Sequence, residues 1–259
     1  MWSPRAAYNG HIRHTARSTM EQETAQQIAC QPALLRQCRF FHDLDDQALT
    51  YAASAAHLAR TAAGAFLFHQ GDPAESFYVL VSGHGRLSQI SAEGQQVIMG
   101  LVTPYQEVGI VAAIRGAEYP LDLQAIDDCA ALVWERAALL ALIERTPRLA
   151  LRALHMVSGR FVELQQRYRE LSTERVERRV ARALLRLVAQ VGRPDAGGIA
   201  LDLPLARQDI AEMTGTTLYT VSRILSGWEQ QGIVSTGRER VALLLPQRLT
   251  QIAEDLPES

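Results

Sequence analysis

The sequence predicts an α+β chain: an N-terminal antiparallel β-roll of jelly-roll type with flanking helices, a long helix, and a C-terminal winged helix-turn-helix. Three observations predict it. Short apolar runs punctuated by glycine turns fill Arg60–Trp134. A strict heptad seam of apolar residues follows them, and Arg207–Trp228 then places small and apolar residues where two helices joined by a tight turn need them. The 259 residues suit two domains, and 47% hydrophobic with 21% charged residues is the balance of a globular protein. The expected segments are an N-terminal extension, disordered, at 1–33, the roll at 34–145, a dimerisation helix at 146–172 and the winged module at 173–259.

The first 19 residues hold Arg5, Arg13 and Arg17, no acid and no continuous apolar stretch, so they are not a secretory signal. Leu34–Leu58 and Arg136–Ile143 are expected to flank the roll as helices. Its strands are expected among Ala65–Phe68, Phe77–Val81, Gly85–Ile90, Val97–Leu101 and Leu121–Ala125. Gly71-Asp72-Pro73, Ser82-Gly83 and Glu93-Gly94 supply the turns, a spacing that suits a barrel or jelly roll.

Thr146-Pro147 opens the long helix. Leu154, Val157, Phe161, Leu164, Tyr168 and Leu171 step by 3, 4, 3, 4 and 3 residues, the a/d spacing of a coiled coil. A helix packed only on its own domain shows a wider stripe, so the seam points to a second copy of the chain. A further helix, Glu174–Val191, carries Arg175, Arg178, Arg179, Arg182 and Arg186, and Gly192–Gly198 closes it as a loop.

In Arg207–Trp228, Ala211 stands where two helices approach closely. Gly215 stands at the turn, and Ile210, Val221, Ile224 and Leu225 form the seam between the helices. Thr216, Thr217, Tyr219, Thr220, Ser222 and Arg223 are left facing outward on the second helix, the part of such a motif that enters a major groove. The alternative is a plain helical hairpin with a polar face; spacing and residue types favour double-stranded DNA. Gly232 ends the helix, and Ile233–Leu245 reads as a two-stranded wing with Arg238 and Arg240 near its tip, within reach of phosphate.

Other signals are weaker. There is no lysine, all 26 basic residues are arginine, and the net charge of −2 means that affinity for DNA must come from local arginines. Apolar runs such as Ala137–Ile143 are too short to span a bilayer, so no membrane partner is expected. Cys30, Cys38 and Cys129 are too few for a disulfide framework, which places the chain in a reducing cytoplasm. No nucleophile–base pair, metal-ligand spacing or phosphate loop marks an enzyme.

The order roll, long helix, winged module, together with Phe68–Leu87 (FHQGDPAESFYVLVSGHGRL) and Ser91–Pro104 (SAEGQQVIMGLVTP), closely resembles the Crp/Fnr family of bacterial transcription regulators. The resemblance covers about Leu35 to Leu249. It implies a cyclic-nucleotide-binding-like roll, a homodimer, a pseudo-palindromic operator, and RNA polymerase as a partner. Ser222 and Arg223 match the family's Ser-Arg pair, the arginine suited to guanine O6 and N7. Tyr219 stands where the family usually has a glutamate.

The family's effectors can be sorted the same way. Members that bind cyclic AMP use a Gly-Glu…Arg-Ser cassette. Placing Gly109 on its glycine puts Ile110, Tyr119 and Pro120 on the other positions, so no cyclic nucleotide is expected. Iron–sulfur members need four ligands; Cys30 and Cys38 have seven residues between them and Cys129 is the remaining thiol, so no cluster is expected. The histidine and cysteine that hold haem in the family's carbon-monoxide sensors are also absent near the cassette. Residues 214–234 read like those of the Dnr and NnrR groups, which implies a response to nitric oxide or a related nitrogen oxide through haem. Among His42, His57, His69, His84 and His155, the ligands expected are His84 and His155. Another small molecule, or a thiol switch on Cys30, Cys38 or Cys129, is the alternative.

Overall fold

The computed structural model describes residues 31–195 and 197–256. Cys30 and most of the expected N-terminal extension lie outside the described residues. The described residues open with helix α1 (Pro32–Leu35) and a run of turns. Helix α2 (Asp46–Ser54) follows, and Asp45 caps it by accepting from the Ala48 N–H at 2.7 Å. The single helix expected over Leu34–Leu58 is therefore two short ones, because Asp45 starts a new helix and the chain is already a strand by His57.

Eight strands make the roll: β1 (His57–Thr61), β2 (Phe66–Phe68), β3 (Ser76–Ser82), β4 (Gly85–Ile90), β5 (Gln96–Val102), β6 (Glu107–Val108), β7 (Asp122–Ala125) and β8 (Cys129–Glu135). They form two four-stranded antiparallel sheets, β1-β8-β3-β6 and β2-β7-β4-β5. Strand β8 was not among the expected strands. It is buried on both faces, so it shows none of the alternation that marks a strand in sequence. A short helix, α3 (Ile110–Arg115), interrupts the second half of the roll.

Phe68, Leu80, Leu87, Leu123 and Ala131 fill the space between the two sheets. The outer face of the first sheet is covered by α1, α2 and helix α4 (Arg136–Arg145). There Trp134 is fully buried, stacks on Phe77 at 4.7 Å, and donates its indole N–H to the Ala52 carbonyl at 2.8 Å, fastening α2 to the sheet.

Helix α5 (Arg148–Thr173) leads out of the roll into α6 (Val176–Val191). The stretch after α6, expected as a loop, is a hairpin of β9 (Gly192–Asp195) and β10 (Gly198–Leu201). It joins the wing strands β11 (Val234–Gly237) and β12 (Arg240–Leu243) in a sheet ordered β11-β12-β10-β9. Gly198 permits this junction, since a Cβ there would stand 2.0 Å from the Leu243 carbonyl oxygen. Helices α7 (Arg207–Thr214), α8 (Leu218–Gln230) and α9 (Pro246–Glu254) complete the module. Leu184, Ile210, Val221, Leu225 and Trp228 form its buried core.

The two halves touch. Leu101 of β5 is buried in the C-terminal core, and the Arg167 guanidinium donates to the Met99 carbonyl. Arg86 of β4 pairs with Asp209 of α7 and donates its other terminal nitrogen to Gln124 at 2.7 Å. Among the described residues no helix is long and apolar enough to cross a membrane.

Candidate nucleic-acid interface and effector cavity

Helices α7 and α8 meet as the residue pattern requires. Ala211 is buried at the crossing, and Gly215 takes a left-handed conformation (φ 60°) at the turn, where a Cβ would meet Leu171 at 3.0 Å. Val221 and Leu225 are fully buried and Ile224 partly so, which fixes which face of α8 looks outward. Thr217 caps α8: its hydroxyl accepts from the Thr220 N–H at 3.2 Å and is 2.9 Å from the Thr220 hydroxyl. Two of the expected DNA-contacting hydroxyls are thus engaged with each other. Tyr219 and Arg223 are exposed, and Thr216 and Ser222 are half-buried. Leu218, not among the expected residues, is also exposed beside them.

The arginines divide sharply. On α6, Arg179 donates to the Thr214 carbonyl at 3.1 Å and the Glu174 carbonyl at 2.9 Å, clamping the helix-turn-helix from behind. Arg182 pairs with Glu174 at 3.1 Å and Arg186 with the buried Glu170 at 2.9 Å. Arg178 donates to the Ala253 carbonyl at 3.3 Å. By contrast Arg223 on α8, and Arg238 and Arg240 on the wing, are exposed and form no ion pair with a described residue. The wing is held in place by Thr236, which donates its backbone N–H to Glu229 at 2.8 Å and accepts from Arg207 at 3.1 Å. The Thr236 N–H and hydroxyl, both donating to Glu229, keep its carboxyl below its ordinary range. Cations free to meet phosphate and base edges therefore gather on one face, around α8 and the wing tip.

A cavity of about 100 Å³ opens between the roll and α5. Ile110, Tyr119 and Pro120, the residues on the nucleotide-cassette positions, all line it. The Tyr119 ring stacks on Phe68 at 3.9 Å, and its hydroxyl donates to the Ser76 carbonyl at 2.5 Å. Gly109 (φ 82°) is needed against that ring, since a Cβ would lie 3.0 Å from Tyr119 Cε1. At the position where the sequence comparison puts the cassette's arginine there is thus an aromatic side chain already committed to its neighbours. From α5, Met156, Val157 and Arg160 close the cavity, and Arg160 donates to the Glu107 carbonyl at 3.1 Å. The Glu107 carboxyl is buried, one of its oxygens lacks a hydrogen-bond partner, and burial raises its pKa.

The cavity does not fit haem. No histidine or cysteine lines it, and small-molecule pockets generally begin near ~300 Å³. His84 is half-buried with Nδ1 held 2.8 Å from Asp127, which also accepts its backbone N–H, so this residue joins two turns of the roll. His155 is exposed on α5. Neither of the two histidines expected as ligands lines this cavity. Among the described residues no group of three histidines, cysteines or carboxylates could hold a metal ion. Cys38 and Cys129 are buried free thiols, and desolvation pushes them up to about 12 and about 11, away from the reactive thiolate.

Residues 59–146 match the cyclic nucleotide-binding domain and residues 178–252 the Crp-like helix-turn-helix domain. The chain is 32% identical over 182 residues to the nitrogen fixation regulation protein FixK of Azorhizobium caulinodans, covering 69% of this chain and 71% of that one. It is 29% identical over 191 residues to the global nitrogen regulator of Synechococcus elongatus, 73% of this chain and 86% of the relative. Its fold superposes on the structure of FixK2 from Bradyrhizobium japonicum with a TM-score of 0.68 at 25% identity, covering 79% of this chain and 98% of that one. With a roll, a long helix and a winged module in this order, the chain belongs to the Crp/Fnr family of DNA-binding transcription regulators.

Proposed function

We propose that this regulator works as a homodimer on a pseudo-palindromic operator, one recognition helix α8 per half-site, with RNA polymerase as its protein partner. The observation that carries the dimer is the apolar stripe of α5. Leu154, Val157, Phe161, Leu164, Tyr168 and Leu171 are all exposed, Tyr168 at 72%. A continuous apolar seam of six residues left in water is costly, and a second α5 covers it by knobs-into-holes packing. Sedimentation of the purified chain at micromolar concentration tests this; a monomer with intact operator binding overturns it.

The signal we assign is nitric oxide or a related nitrogen oxide, not cyclic AMP. The likeness of residues 214–234 to the nitrogen-oxide groups supports this, as does Tyr119 standing where a phosphate ligand would be needed. The lining of the cavity does not support haem as the carrier. Operator binding measured with and without nitric oxide, beside an absorption spectrum of protein made with haem supplied, tests the signal and its carrier separately. Equal affinity in both conditions rules the signal out.

A further inference from the structure

The outward face of α8 carries an exposed apolar pair beside its hydroxyls and single arginine. The Thr217 and Thr220 hydroxyls are hydrogen-bonded to each other, and Arg223 is the sole cation among residues 216–230. Tyr219 has the highest exposure of any large apolar side chain among the described residues, at 78%, and Leu218 next to it is 47% exposed. Tyr219 lies one helical turn before Arg223 on the same face. In the major groove, the apolar feature of a base pair is the C5-methyl of thymine, and apolar side chains read it by contact.

We propose that Leu218 and Tyr219 form an apolar reading pair that selects thymine at one position of each half-site, beside the base contacted by Arg223. The proposal rests on α8 being the DNA-reading helix and adds what it reads. The Tyr219 ring lies over the thymine methyl and Leu218 closes the contact from the wing side, where it borders Arg207 and Thr236. The contact removes a methyl-sized apolar group from water. That is worth about a fourfold change in affinity, from the roughly 0.8 kcal/mol per buried methylene-sized group.

The test begins with duplexes selected from a random pool by the full-length wild-type protein. Each thymine of one half-site is then replaced by uracil, which removes the methyl and keeps every base-pairing group. The expected result is one position at which uracil weakens wild-type binding about fourfold. That sensitivity disappears in Tyr219→Ala and falls in Leu218→Ala, but survives in Tyr219→Phe. Circular dichroism shows that each variant keeps its helix content, since neither side chain belongs to the buried core. Uracil without effect at every position, or sensitivity that persists in Tyr219→Ala, overturns the proposal. Loss of sensitivity in Tyr219→Phe also overturns it, because the hydroxyl and not the ring would then be reading the base. A pool that yields no preferred duplex overturns the DNA-reading function itself.

Discussion

Helices α5 and α6 follow one another, are both amphipathic and both carry several arginines, yet the chain uses them in opposite ways. Helix α6 buries Val180, Leu184, Leu187 and Val191 in its own module and ties Arg178, Arg179, Arg182 and Arg186 to acids and carbonyls. Helix α5 buries only Leu149, Ala153 and Glu170, and leaves its heptad stripe in solvent. The difference teaches that an apolar stripe alone does not say where it will be covered. What separates the two is where the stripe runs: on α5 Leu154, Val157, Phe161, Leu164, Tyr168 and Leu171 hold a strict 3-4 alternation in solvent, with Leu151 and Val162 exposed off it, while the apolar residues of α6 lie on both sides of its central line and turn into its own module.

The most severe way to break the comparison is Leu184→Asp. An unpaired charge in the core of the winged module should cost about 4 kcal/mol or more and unfold it, visible as loss of its thermal transition. Next comes Phe161→Asp on α5. Here each protomer should keep its fold, losing only the thermal stability that assembly supplied, while sedimentation gives a monomer and operator affinity collapses. A Phe161→Asp protein that unfolds like Leu184→Asp would show that α5 is covered within its own protomer.

Arginine substitutions sharpen the same contrast. Arg223→Ala should cost about 1–3 kcal/mol of operator binding and relax specificity at one base pair, with no change in stability. Arg179→Ala should do the reverse, lowering stability by about 1–3 kcal/mol, because the Thr214 and Glu174 carbonyls lose a charged donor. Titrating the selected operator against both proteins, with urea unfolding alongside, separates the two effects.

The smallest effect concerns Glu107 of β6, whose backbone carbonyl accepts from Arg160 of α5. The Glu107 carboxyl is raised by burial, so its ionised form is disfavoured in the fold. The protein is relieved of that cost below the ordinary carboxylate range and bears it as pH rises. Glu107→Gln should therefore stabilise the chain by about 1 kcal/mol near pH 7, with the gain vanishing near pH 4. Thermal melts at the two pH values measure the difference.

Much of this was legible beforehand. The glycine turns marked the roll, and Ala211, Gly215 and Val221 marked the helix-turn-helix, because each is demanded locally by backbone geometry or close approach. Strand β8 and the β9–β10 hairpin were not legible. The first is buried on both sides, and the second pairs through backbone at Gly192–Asp195, where the side chains carry no apolar pattern. The site was half legible. Residue type placed Arg223 outward, but no spacing rule reveals that Thr217 and Thr220 bond each other, or that His84 is held by Asp127, forty-three positions away. Those facts depend on how distant turns meet.

Strand β4 has one more consequence. Leu87 lines the cavity under α5, and its neighbour Arg86, pointing the opposite way, grips Asp209 at the start of the helix-turn-helix. A rigid strand cannot tilt one of these side chains without carrying the other, so the wall of the cavity and the handle of the DNA-reading module are the same piece of backbone. Whatever changes the fit around Leu87 is felt at Asp209, and substitutions at these two positions, remote in sequence, should fail to add in their effect on operator affinity.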